Sequence, residues 1–196
     1  MRVAFGLKAH SGWASLIVLG VDDAHFEVID RRRLELVEEE WAKQPYHAAE
    51  QLETKEARQI VKRGISAAQL HARRAIRDAV KRAEKHGHRV VSCAVLMGAS
   101  MPDWTVEQIL AVHFRMHKAE GVLFREALAA AARHSNLKVV EVPDKTLDEF
   151  AVQSLGTSQS KLAEQVSSLG KSIGAPWGKD QKEATMAAMI GLKQLS

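Results

Sequence analysis

Apolar residues in the first forty positions form three runs that predict β-strands. Residues 2–8 (RVAFGLK) and 13–20 (WASLIVLG) are almost continuously apolar, which is typical of strands that are buried on both faces. Residues 25–36 instead alternate apolar and polar positions, as expected for an edge strand with one face in water. Because only short polar turns separate the three runs, the pattern predicts an antiparallel three-stranded meander.

Longer periodicities follow this meander. The acidic segment 38–52, which Pro45 interrupts, is predicted to be a connector or a short helix. Alanines at three- and four-residue spacing over 68–83 then predict a long helix, which Gly87 ends. The nearly apolar run 90–97 (VVSCAVLM) predicts a central strand that is covered on both faces.

The second half of the chain predicts one further strand among several helices. The strand is 137–142 (LKVVEV), and Pro143 ends it. In the first predicted helix, Asp103 is the cap, and Val106 to His113 lie within the helix. The other predicted helices are 119–134, 147–155, 161–169 and 180–195. The whole order, β-β-β-α-β-α-β-α-α, predicts a single α/β domain over residues 1–196, with a five-stranded mixed sheet and helices on both faces.

The composition indicates an ordinary globular domain. The chain has 196 residues, 46% of them hydrophobic and 27% charged, which is enough to bury a sizeable core. Its only cysteine, Cys93, lies within an apolar run and is expected to be a buried structural thiol. No apolar run approaches the roughly 18 residues that a spanning helix needs, and no signal-peptide pattern is present. We therefore expect a cytoplasmic protein without a membrane partner.

Positive charge is concentrated in residues 55–89. This segment holds eleven basic and three acidic residues, a local excess of +8 in a chain whose net charge is +4. Such a surface can neutralise several phosphates of a nucleic acid, although a solvated helix face has the same composition. The segment has no Phe, Tyr or Trp on which single-stranded bases could stack. The candidate nucleic-acid-binding residues are Lys8, Arg73, Arg74, Arg77 and Lys81.

The second half of the chain also resembles a known protein family. The relevant passages are 119–123, 127–132 and 137–143, then Leu155-Gly156, 159–166, Pro176 and 180–188. In order and spacing they are similar to the RuvC-type Holliday-junction resolvases, with a weaker similarity at 4–11. That family has the ribonuclease H-like fold, so the resemblance implies this fold for the chain.

The resemblance also implies where a catalytic site would lie. In the family, carboxylates from the first strand, the fourth strand and the last helix hold two Mg²⁺ ions for phosphodiester cleavage. Here Lys8 occupies the first-strand position, and residues 96–100, at the end of the fourth strand, include no acid. Only Asp180 and Glu183 remain, and their spacing also fits helix capping. Since a charged lysine repels a metal ion and offers no lone pair, the resemblance implies that the standard nuclease mechanism is lost.

A second candidate site consists of His113, His117 and Glu120. On one helix this spacing places two imidazoles and a carboxylate on the same face, where they could bind one metal ion. His10, in the loop after the first strand, is a further candidate ligand. Histidines on an ordinary helix surface have the same spacing, so the pattern leaves both interpretations open.

Three functional hypotheses follow from these features. The first is a ribonuclease H-like domain without the standard metal site, which binds a partner such as nucleic acid and uses Lys8 as a phosphate contact. The second is a metal-dependent nuclease or hydrolase with relocated ligands and Mg²⁺ or Mn²⁺ as cofactor. Its catalytic carboxylates would be Asp180, Glu183 and Glu120, and its metal ligands His10, His113 and His117. The third is a protein-interaction module with an exposed patch of Trp13, Trp41, Trp104 or Trp177.

Overall fold

The computed structural model describes residues 1–22 and 25–194, and a five-stranded mixed sheet forms its centre. The strands are β1 (Arg2–His10), β2 (Trp13–Asp22), β3 (His25–Glu35), β4 (Arg89–Met97) and β5 (Lys138–Pro143). They lie in the order β3-β2-β1-β4-β5, with β2 antiparallel to both β1 and β3, and with β4 parallel to both β1 and β5. The predicted meander and mixed sheet are therefore confirmed.

Helices connect and cover these strands. They are α1 (Pro45–Ala49), α2 (Thr54–Lys85), α3 (Val106–Leu110), α4 (His113–His134), α5 (Leu147–Leu155), α6 (Gln159–Ile173) and α7 (Lys179–Lys193). A 3-10 turn at Glu40–Lys43 precedes α1. Leu195, where the last helix was predicted to end, lies outside the described residues. Within the described part of the chain, no helix is both long and apolar enough to cross a bilayer.

The region before α4 differs from the sequence prediction. Thr105, not Asp103, caps the short helix α3, because the Thr105 side chain accepts the backbone N–H of Gln108 at 3.2 Å. Val112 then has an extended backbone conformation, so the chain breaks before His113 and not before Ala119. As a result α4 begins at His113, and the helical spacing from His113 onward is retained.

Alternation along β1 assigns its side chains to two cores. Val3, Phe5 and Leu7 pack in the core beneath α2 and α4, whereas Ala4 belongs to the core beneath α5, α6 and α7. Because side chains in a strand alternate with a period of two, Lys8 points to the α7 side of the sheet. The fold thereby places a charged residue of β1 opposite the first turns of α7.

Cys93 lies in the centre of β4 and has no exposed surface. Burial raises the pKa of its thiol to about 12, since the thiolate would lose its hydration. The cysteine is therefore an inert core side chain, as the sequence predicted.

Candidate functional site

Two carboxylates meet the ammonium group of Lys8 at the carboxyl end of β1. The Lys8 Nζ atom forms an ion pair with Asp144 Oδ1 and lies 2.9 Å from Glu183 Oε2. Asp144 directly follows β5, and its backbone N–H donates to the carbonyl oxygen of Met97 at the end of β4. All three side chains of the cluster are at most 18% exposed. Lys8 of β1, Asp144 after β5 and Glu183 of α7 are called the strand-end cluster below, with Lys8 at its centre.

Two further basic groups complete the neutralisation of these carboxylates. Arg125 Nη2 donates to Asp144 Oδ2 at 3.0 Å, and Lys179 Nζ lies 3.7 Å from Glu183 Oε1. Three cations therefore surround two anions, so this cluster leaves no negative charge for a divalent ion. The residues present do not fit the two-metal site that the resemblance implies.

The charged state of Lys8 is favoured despite its burial. Burial by itself lowers the pKa of Lys8, but its hydrogen bonds and charge interactions with Asp144 and Glu183 outweigh this effect. The pKa of Lys8 is consequently raised above its ordinary value. The ammonium form thus persists at neutral pH and keeps both carboxylates paired.

Asp180 lies beside this cluster but pairs with a different residue. Its Oδ2 atom is 3.1 Å from Nε2 of His10, whose ring stacks on Trp13 with centroids 4.3 Å apart. The prediction that Asp180 and Glu183 form the cap of the last helix is wrong. Gly178 is the N-cap, and its N–H donates to the side chain of Gln181 at 2.8 Å. Instead of capping the helix, Asp180 and Glu183 contact His10 and Lys8 of β1.

The structure groups His113 and His117 with His47, and not with His10. One ligand nitrogen from each of these three rings lies within 4.8 Å of the others. Glu120 belongs to the same group, because its Oε2 atom is 2.7 Å from His47 Nδ1. Glu120 therefore contacts α1 and does not join Asp180 and Glu183. No sequence pattern singled out His47, which lies in the segment predicted to be a connector or a short helix and belongs to the short helix α1.

The predicted basic residues of α2 lie together on its outer surface. These residues are Arg73, Arg74, Arg77 and Lys81. Together they line a groove of about 690 Å³ near the C-terminal end of α4. Arg77 pairs with Asp78 at 3.2 Å, whereas Arg73, Arg74 and Lys81 form no ion pair within residues 1–22 and 25–194. Lys8 is not part of this surface, because Asp144 and Glu183 enclose it.

The four tryptophans do not form an exposed patch. Each is partly buried, and three of them pack against basic side chains. Trp177 instead donates its indole N–H to the carbonyl oxygen of Val166 at 3.1 Å. The tryptophans thus contribute mainly to local packing.

Comparisons with known proteins agree with this architecture. No protein-family model matches the chain, and no curated protein matches it. Among solved structures, it is similar to Thermus thermophilus RuvC, with 11% sequence identity, a TM-score of 0.50, and coverage of 98% of this chain and 95% of that one. It is equally similar to T. thermophilus RuvC in complex with a Holliday junction substrate, with 11% identity, a TM-score of 0.50, and coverage of 100% and 95%. The chain therefore has a ribonuclease H-like fold that resembles RuvC.

Proposed function

We propose that this chain is a nucleic-acid-binding ribonuclease H-like domain that does not cleave by the metal-dependent mechanism of its fold. The observation that carries the proposal is the ion-pair cluster of Lys8 with Asp144 and Glu183. An ammonium group on the first strand neutralises the acids of the last helix and of the β5 end. A divalent ion would have to displace a lysine whose raised pKa keeps it charged.

The basic groove on α2 supports nucleic acid as the partner. Arg73, Arg74 and Lys81 are exposed there and have no acidic partner among the described residues, so they are available to phosphates. The similarity to a RuvC structure that holds a Holliday junction substrate adds support for this partner class. Because no Phe, Tyr or Trp among the described residues lines the groove, we expect contacts to the nucleic-acid backbone and not to stacked bases.

Binding to a fluorescent four-way junction and a matched duplex tests the proposal. We expect binding at low salt that weakens steeply as salt rises, without cleavage in Mg²⁺ or Mn²⁺. The double variant Arg73→Ala/Arg74→Ala should reduce the slope of log K against log salt by about 2, since each phosphate contact contributes about 0.9. The double variant Lys161→Ala/Lys171→Ala, which removes two exposed lysines from α6, is the matched control and should leave the slope unchanged.

Two results would contradict this proposal. Absence of binding to every nucleic acid at low salt would make the α2 surface an ordinary solvated helix face. Metal-dependent cleavage that the Glu183→Gln variant abolishes would show that the strand-end cluster is catalytic, since Glu183 belongs to it.

Restoring an acid at the Lys8 position tests whether lysine takes the place of a metal ion. In Lys8→Asp, Asp144 and Glu183 lose their shared cation, and a third carboxylate joins them. Mg²⁺ should raise the melting temperature of this variant by about 5 °C or more at saturation, but not that of the unchanged protein. Lys8→Asn supplies an amide oxygen without adding a third negative charge to the cluster. If Lys8→Asp does not fold, Mg²⁺ should raise the melting temperature of Lys8→Asn instead. Insensitivity of both variants to Mg²⁺ would contradict the assignment.

A further inference from the structure

His47, His113 and His117 form a cluster outside the strand-end cluster, and this group has the chemistry of a metal centre. We propose that these three histidines bind one divalent transition-metal ion, with Zn²⁺ as the preferred ion. The geometry is the first argument, because one ligand nitrogen of each ring lies within 4.8 Å of the other two. His113 and His117 are one turn apart at the start of α4, and His47 approaches them from α1.

The distance between the ring nitrogens of His113 and His117 is close to the distance that a shared ion requires. Nε2 of His113 and Nε2 of His117 lie 3.0 Å apart. Two imidazole nitrogens at about 2.0–2.1 Å from a tetrahedral Zn²⁺ are separated by roughly 3.4 Å, so these two rings need to separate only slightly. The three ring centroids lie 4.6–5.1 Å apart, and the rings are tilted or edge-on to one another and not stacked. The arrangement therefore suits ligands that converge on one point.

A buried carboxylate orients one of the three rings. Glu120 is 3% exposed, and its Oε2 atom lies 2.7 Å from Nδ1 of His47. Its other oxygen accepts the backbone N–H groups of Tyr46 at 3.2 Å and of His47 at 3.1 Å. This contact favours the proton on Nδ1 and leaves the Nε2 lone pair for a metal ion. Carboxylate–histidine pairs of this kind support the ligands of many zinc sites.

The donor atoms also determine which ions the cluster can bind. Three imidazole nitrogens suit Zn²⁺ and neighbouring transition metals, whereas Mg²⁺ and Ca²⁺ prefer oxygen ligands. His113 and His117 are exposed, so an ion can enter from solvent. Three protein ligands leave the fourth tetrahedral position open to water, which is the arrangement of catalytic zinc sites and not of structural ones.

Metal titration of the untagged, EDTA-treated full chain tests this proposal without any nucleic acid or activity assay. We expect one Zn²⁺ per chain by elemental analysis, and tetrahedral Co²⁺ absorption bands that Zn²⁺ abolishes. Removing the ligand in His113→Ala or His47→Ala should lower Zn²⁺ affinity more than 100-fold. Glu120→Gln should lower it by about 10- to 100-fold, as is usual for a residue that supports a ligand. His134→Ala is the matched control, because His134 is exposed at the opposite end of the same helix.

The outcomes separate this site from the strand-end cluster. Lys8→Met should bind Zn²⁺ as tightly as the unchanged protein, since Lys8 pairs with Asp144 and Glu183 and not with the three histidines. His113 is exposed, so its alanine variant is expected to fold and to give an interpretable affinity. Uptake well below one ion per chain, or equal affinities of His113→Ala and His134→Ala, would overturn the proposal. Either result leaves the proposed nucleic-acid binding unaffected, because α2 carries that surface.

Discussion

Replacing Lys8 by methionine is expected to lower the free energy of unfolding by about 3 kcal/mol. The substitution leaves Asp144 and Glu183 close together and largely buried without their shared cation. Removing one partner of a buried ion pair costs about 3–5 kcal/mol, because the remaining charge is desolvated and uncompensated. We expect the lower end of this range, since Arg125 still pairs with Asp144 at 3.0 Å. Chemical denaturation of both proteins at neutral pH measures the difference.

The exposed ion pair of Arg133 with Glu141 provides the control for this prediction. Its side chains are 57% and 53% exposed, so Arg133→Met should cost less than about 1 kcal/mol. The double variant Lys8→Met/Glu183→Gln should be more stable than Lys8→Met alone. In the presence of Lys8, Glu183→Gln should instead destabilise the protein. Equal losses in Lys8→Met and Arg133→Met would show that the strand-end cluster contributes no more than a surface pair.

The pH dependence of this difference has a defined direction. The pKa of Lys8 is raised in the folded state. The stability that its charged form contributes is therefore fully present below the ordinary lysine pKa of 10.5. The contribution is lost as the pH rises through the raised pKa. The stability difference between the unchanged protein and Lys8→Met should therefore persist from neutral pH to about pH 10 and narrow above it.

The sheet could be predicted from the sequence because buried strands leave a strong local signal. The continuous apolar runs that became β1, β2 and β4 are explained by packing on both faces, and short turns fix their pairing. The helix boundaries around α3 could not be predicted in the same way. Both Asp103 and Thr105 suit an N-cap position, and only the backbone geometry selects Thr105.

The functional clusters were only partly predictable, because their members are distant in sequence. Lys8 could be identified from its position on the first strand, but its partner Asp144 lies 136 residues away in the loop after β5. Arg125 is one of 28 basic residues, and no local pattern distinguishes it. His47 likewise lies 73 residues from Glu120, and only the packing of α1 against α4 brings them together. Spacing within one element found His113 and His117, but it could not supply the third ligand.

Gly6 determines how closely α7 approaches the sheet, and Gly6→Ala is expected to destabilise the fold by about 3 kcal/mol or more. A Cβ atom at this position would overlap the backbone carbonyl of Ala184 and would lie 2.9 Å from the backbone nitrogen of Ala188. Because these are backbone atoms, α7 itself would have to move away from β1. Overpacking a core typically costs about 1–3 kcal/mol, and a rigid neighbour places the cost at the upper end or beyond.

The test of Gly6→Ala uses Gly121→Ala as its control, with both variants compared by chemical denaturation. Gly121 is an exposed position within α4, and a Cβ atom added there would meet no described residue outside its own helical turn within 4 Å. Alanine at this position should therefore raise stability by about 1 kcal/mol. Ala184→Gly should not rescue Gly6→Ala, because the overlap is with the Ala184 carbonyl and not with its methyl group. Native stability in Gly6→Ala would contradict the close packing of α7 on β1. Since α7 carries Asp180 and Glu183, the same packing holds these acids within reach of His10 and Lys8.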